Sequence, residues 1–153
     1  MVVSFVGPNN FERTRVAMAR LIDAIAKLII NDEACVFLFT NEGSFDNACW
    51  QIVSAFQKIY PDIRRIYARK RYENSEEQDI MTCYEEMFLL DAVRNAGFYA
   101  TSVRNEAMVG MCDVLVTYCN MNNQQMPRLK EYEEMAVELA QQTKKRVINI
   151  YKK

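Results

Sequence analysis

Short apolar runs alternate along this chain with longer stretches of helical period. Residues 2–6, 35–39, 63–68 and 114–118 are brief and rich in β-branched or aromatic side chains. Each stops at a polar tip: Gly7-Pro8-Asn9-Asn10, Thr40-Asn41-Glu42-Gly43-Ser44, Arg69-Lys70-Arg71 and Cys119-Asn120. Runs of this kind read as buried strands, and a helix-length periodic stretch follows each one. The alternation predicts an α/β fold, a three-layer α/β/α sandwich around a mainly parallel, Rossmann-like sheet of five to six strands. The length predicts one domain over residues 1–153. Ligands of such sheets bind beyond the carboxyl ends of the strands, so the polar tips mark where a site belongs.

The helices follow from spacing. Over residues 11–31, Met18, Leu21, Ile22, Ile25, Leu28 and Ile29 form one stripe, and Asn9 or Asn10 is placed to cap it. The second helix takes Ser44 as its cap, sets Asp46 at its positive end, and buries Phe45, Cys49, Ile52, Val53 and Phe56 until Pro61 stops it. Ser75-Glu76-Glu77-Gln78 is a capping box for a third helix, with Met81, Tyr84 and Phe88 on its apolar face. Leu90-Asp91-Ala92-Val93 is either a short strand or the end of that helix. A short helix over 103–112 turns Val103, Ala107, Met108 and Met111 inward. After Pro127 a long helix buries Leu129, Tyr132, Met135, Ala136, Leu139 and Ala140. Its opposite face, with Glu131, Glu133, Glu134 and Glu138, is solvated. A closing strand covers 146–151.

Composition narrows the class. The chain is 50% apolar and 25% charged, with a net charge of −1, so no general attraction draws it to duplex nucleic acid or an anionic membrane. No apolar run approaches the roughly 20 residues of a membrane span. The amino terminus enters a strand without a basic segment, which argues against a signal peptide and for a cytoplasmic protein. Five cysteines, an odd number without a CxxC pair, read as buried reduced thiols. There is no histidine, which removes histidine-dependent triads and imidazole ligands. No metal or organic cofactor is implied.

Three groups of residues carry candidate chemistry. Gly7, Asn9 and Asn10 lie where the first strand meets the first helix, beside the crevice of an open sheet. Thr40, Asn41, Glu42, Gly43, Ser44 and Asp46 form a tight turn into a helix. Its two acids oppose a phosphate and suit a ribose, a base or a cation unless an arginine intervenes. Arg104-Asn105 supplies that arginine, able to clamp an anion bidentately or to pair with Glu42 or Asp46. Together these residues predict one small-molecule site. Arg69-Lys70-Arg71-Tyr72, a basic cluster at a strand's carboxyl end, reads as a solvated loop beside the acidic residues that follow, the alternative being a seat for a 2′-phosphate or for single-stranded nucleic acid stacked on Tyr72. Trp50 falls off the stripe of its helix and suggests a subunit contact. Met121 and Met126, in a polar loop, face a ligand or a second copy. Open sheet edges make a homodimer plausible.

Four segments share an order with a known family. These are residues 2–10; Glu42-Gly43-Ser44-Phe45-Asp46-Asn47-Ala48 with Tyr60-Pro61; Arg104-Asn105-Glu106-Ala107-Met108-Val109 with Cys112-Asp113; and residues 145–150. In these the chain resembles the SLOG superfamily of Rossmann-like nucleotide-binding proteins, and within it the small single-domain YpsA-like branch. The resemblance implies a nucleotide or nucleotide derivative as ligand and a sensor or regulatory role. It also allows a nucleoside-phosphate glycosidase, with Arg104 on the phosphate and Asp46 or Glu42 handling protons, or a degenerate interaction protein. Family members carry two glycines where this chain has Asn41-Glu42-Gly43, and a Gly-Gly-Thr loop where residues 120–134 hold no glycine.

Overall fold

A computed structural model describes residues 1–71, 80, 82–121 and 130–151. The strands are β1 (Val2–Phe5), β2 (Val36–Phe39), β3 (Arg64–Ala68), β4 (Glu86–Phe88), β5 (Val114–Thr117) and β6 (Arg146–Asn149). The helices are α1 (Arg15–Ile30), α2 (Gly43–Gln57), α3 (Asp91–Arg94), α4 (Ala100–Met111) and α5 (Tyr132–Gln142). A 3-10 turn, Gly97–Tyr99, leads into α4. All strand pairs are parallel, in the order β4-β3-β2-β1-β5-β6. The expected α/β sheet is therefore present with six strands. From β1 the chain winds outward through β2 and β3 on one side and through β5 and β6 on the other. The crevice beyond the carboxyl ends of β1 and β5 is the topological switch point.

Alternation of side chains along each strand builds the two helical layers. Phe5, Phe37 and Phe39 face α1 and α2, meeting Leu21, Ile25, Leu28, Phe45 and Val53. The Phe5 ring lies 6.0 Å from Phe37 and 5.2 Å from Phe39. Leu38, Ile66 and Leu115 face the other way, onto Met108 and Val109 of α4 and Ala136, Val137 and Ala140 of α5. Each fully buried phenylalanine or leucine contributes about 1.5–3 kcal/mol. No helix among the described residues is long and apolar enough to cross a membrane.

Local signals were less reliable than the strand pattern. Helix α1 starts at Arg15, and its cap is Thr14, whose Oγ1 accepts from the Ala17 amide at 3.1 Å. Asn9 and Asn10 lie too far upstream to cap it. Thr14→Ala should cost about 1 kcal/mol in urea unfolding, whereas exposed Asn10→Ala should cost almost nothing. Helix α2 begins one residue before Ser44, with Glu42 at the cap position. The Ser44 hydroxyl instead reaches back to the Asn9 and Phe11 carbonyls at 3.0 and 3.1 Å.

Phe88 lies on strand β4 rather than on a helix, and Asp91–Arg94 is a separate short helix after that strand. Ile22, Met111, Tyr132 and Met135 are exposed, while Glu134 is buried. On α5 the small residues Ala136 and Ala140 allow close packing, which rotates the buried stripe away from Tyr132 and Met135. Trp50 is half-buried and has partners within the chain. Its Nε1 donates to the Cys83 carbonyl at 3.0 Å, and the Arg65 guanidinium stands 5.4 Å from its ring centre. Cys49, Cys112 and Cys119 are buried, Cys35 and Cys83 half-buried, and all five are free thiols. Tyr72, the Ser75–Gln78 capping box, Met81, Met126, Pro127 and Leu129 lie outside the described residues.

Candidate functional site

The tip of β2 is organised by one carboxylate. Asp46, in the first turn of α2, folds back over the turn that precedes it. Its Oδ1 accepts from the Thr40 amide at 2.6 Å and the Thr40 hydroxyl at 3.0 Å, and its Oδ2 accepts from the Asn41 amide at 3.0 Å. The Glu42 amide donates to Thr40 Oγ1 at 3.2 Å. Asn41 takes a left-handed φ of 56°, a conformation asparagine tolerates. Its side chain is held by the Tyr84 hydroxyl, which donates to Oδ1 at 3.0 Å. Burial pushes the Asp46 carboxyl up to about 6, against the opposing pull of the Thr40 and Asn41 donors. Burial likewise raises the Tyr84 hydroxyl, and the Asp46 charge adds to it.

The β1 tip packs directly on this turn. The Ser44 amide donates to the Asn9 carbonyl at 3.0 Å, so part of the α2 amino terminus is satisfied by the chain itself. Gly43 has a φ of 84°, and a Cβ there would lie 2.6 Å from Asn9 Oδ1 and 2.7 Å from Asn9 Cα. A Cβ on Gly7 would stand 2.2 Å from Cδ1 of Phe45. Both glycines thus admit neighbouring parts of the chain.

Helix α4 brings a cation to the same place from the other face of the sheet. Arg104 is only 3% exposed and Asn105 6% exposed. Asn105 Oδ1 accepts from Arg104 Nε and Nη2, both at 3.2 Å, which fixes the guanidinium. Arg104 Nη1 lies 3.4 Å from Glu42 Oε2. Buried Nη1 makes no hydrogen bond among the described residues. Lys70, just past the end of β3, places its Nζ 2.8 Å from Glu42 Oε1 and 3.3 Å from Thr101 Oγ1. Burial would raise the Glu42 carboxyl, but the Lys70 bond and the Arg104 and Lys70 charges outweigh it and hold it below the usual range.

A cavity of about 140 Å³ opens among these groups, lined by Gly7, Asn9, Thr40, Glu42, Asp46, Arg104 and Asn105, together with Val6, Lys70, Thr101 and Tyr132. Seven of the residues singled out from the sequence therefore share one cavity. Asn41 and Gly43 line a neighbouring cleft of about 360 Å³ with Asp46, Trp50 and Tyr84. Asn10 lines a third, also about 360 Å³, with Gly7, Asn9, Asn120, Glu131, Glu133 and Glu134. Burial raises the Glu133 carboxyl, and Glu131 and Glu134 raise it further. Ser44 faces the β1 turn. Lys70 falls in the basic tip expected to be a solvated loop, with anion binding as the alternative; the structure instead buries Arg69 of that tip and sets Lys70 on Glu42. Its place at the carboxyl end of a strand was the signal. Thr101 and Tyr132 carried none.

No protein-family model matches the chain, and no curated protein matches it. A solved structure does: that of DNA processing protein A (DprA) from Streptococcus pneumoniae, with a TM-score of 0.64 and 11% identity. The fold is Rossmann-like. The likeness covers 95% of this chain but 48% of the DprA chain, so this chain spans about half the length of that neighbour. In a Rossmann-like sheet the crevice at the carboxyl ends of the central strands is where ligands sit, and the Arg104 cavity opens there.

Proposed function

We propose that this Rossmann-like domain binds a small, nucleotide-derived ligand in the Arg104 cavity and acts as a sensor or regulatory module. One observation carries the reading: a guanidinium buried to 3% exposure whose Nη1 has no hydrogen-bond acceptor among the described residues. Leaving a buried charged donor unmet costs more than about 1–3 kcal/mol. A ligand oxygen at Nη1 removes that cost. Thr40, Asn9 and Asn105 around it suit ribose hydroxyls. Within this reading the chain is a member of the SLOG superfamily, of its YpsA-like branch, located in the cytoplasm and able to pair as a homodimer.

Binding is favoured over catalysis by the state of Asp46. Its carboxyl near 6 would suit acid–base work. Both its oxygens, however, already accept from Thr40 and Asn41, so it holds the turn in place.

Thermal unfolding in the presence of AMP, ADP-ribose and NAD tests the proposal. At least one should raise Tm with increasing concentration, and Arg104→Ala, with folding verified by circular dichroism, should abolish the rise. Absence of any shift, or a shift unchanged by Arg104→Ala, would overturn it.

A further inference from the structure

We propose that Lys70 and Arg104 together form an oxyanion seat, for a carboxylate or a phosphate, which Glu42 occupies until the ligand displaces it. This rests on the binding reading above and adds the chemistry of the group recognised and the contact that must break first.

The Glu42 carboxylate is arranged as a bound anion would be. One oxygen lies 2.8 Å from Lys70 Nζ and the other 3.4 Å from Arg104 Nη1. The seat is therefore built for two oxygens on one centre. Yet the second contact is a long ion pair without hydrogen-bond geometry, and Nη1 is left without a hydrogen bond among the described residues.

Glu42 stops short of Nη1 in this structure, and its backbone is tethered on both sides. Its amide donates to Thr40 Oγ1 at 3.2 Å. The next residue, Gly43, is wedged against Asn9. An untethered oxyanion has no such restraint and can bond Nη1 and Lys70 together. Charge-assisted pairs of this type are shorter and about twice as strong as neutral hydrogen bonds.

Exposure sets which partner yields. The Arg104 side chain is 4% exposed and that of Glu42 36%. The carboxylate can swing into water, whereas the guanidinium cannot follow. Asn105 grips Nε and Nη2 from the far side, so Nη1 stays aimed at the seat after Glu42 leaves. The exchange replaces one anion by another, so both cations face an anion before and after it. A cavity of about 140 Å³ holds such a head group with a short stem.

Isothermal titration calorimetry with inorganic phosphate and with acetate tests this on wild type, Glu42→Gln and Lys70→Met. Removing the competing acid should tighten binding of at least one anion about tenfold, and Lys70→Met should weaken it by a similar factor. The better of the two probes tells phosphate from carboxylate. Unchanged or weaker binding by Glu42→Gln would overturn the displacement. If Glu42→Gln does not fold, the Arg104 side-chain nitrogen resonances of the wild type serve instead. They should move on titration with phosphate or acetate, and stationary resonances in both would overturn the seat. Adenosine separates the two ideas. If it raises Tm as much as AMP does, the ligand reading stands and the oxyanion seat is wrong. If no nucleoside, nucleotide or anion binds, both are wrong.

Discussion

Replacing Asp46 with alanine is expected to lower the unfolding free energy by roughly 2–4 kcal/mol. The substitution removes the acceptor of two backbone amides and one hydroxyl at once. Thr40 is buried, so its amide has no access to replacement water. Asp46→Asn removes the titration but also turns one acceptor oxygen into an NH2 donor facing Thr40 or Asn41, so it loses stability at every pH and serves only as the reference for the pH dependence. In the unfolded chain the carboxyl titrates near its ordinary value of 3.8, and in the folded chain near 6. The folded state therefore holds the proton more tightly. The resulting stabilisation is complete below about pH 3.8 and is lost as pH rises through about 6. A difference of about two pH units corresponds to roughly 3 kcal/mol. Relative to Asp46→Asn, wild type should gain about that much between pH 7 and pH 4. Urea unfolding followed by circular dichroism at four or five pH values reads it directly. A difference of opposite sign would mean that the Thr40 and Asn41 hydrogen bonds dominate burial.

Gly43→Ala is the second large effect, at roughly 3 kcal/mol. Part is conformational, since a φ of 84° strains any side chain by about 1–3 kcal/mol. Part is steric, since the new methyl meets the Asn9 backbone as well as its side chain. The Asn9 backbone cannot retreat freely while its carbonyl accepts from the Ser44 amide and hydroxyl. Thermal unfolding should show a lower Tm with or without ligand. A variant of unchanged Tm that had lost only ligand binding would show that Gly43 makes room for a ligand and not for Asn9.

The sequence pattern was most legible where a strand is buried on both faces. The runs around β1, β2 and β5 are broken only by Ser4 and Thr117, β3 opens on Arg64-Arg65 before its buried Ile66-Tyr67-Ala68, and all four strands lie where those runs lie. Strand β4 was hidden because Glu86-Met87-Phe88 is three residues long at the sheet edge, too short to show a period. A polar face that is buried is hidden in another way. Helix α4 buries Arg104 and Asn105, and a stripe drawn from apolar residues alone turns such a face outward. Arg104 was found through its chemistry and its neighbours in sequence, while Lys70 had its place in a basic tip at a strand end to mark it. Caps failed for a related reason. Asn9, Asn10 and Ser44 all have the right side chains, but Ser44 bonds the β1 turn, and Thr14 stands where α1 begins.

The central position of β1 also sets the order in which this molecule can assemble. Its pairing with β2 joins Val2 to Val36, a local closure. On its other side the Val2 amide reaches Asp113, 111 residues further on. Closing the longer loop costs more chain entropy, and contacts of that range slow folding. Thr40, Asp46 and Glu42 thus belong to the half that can form early, and Arg104 to the half that docks late. Loop closure predicts that the turn forms first, with Glu42 already beside Lys70, and that the buried cation joins when α4 closes over β1.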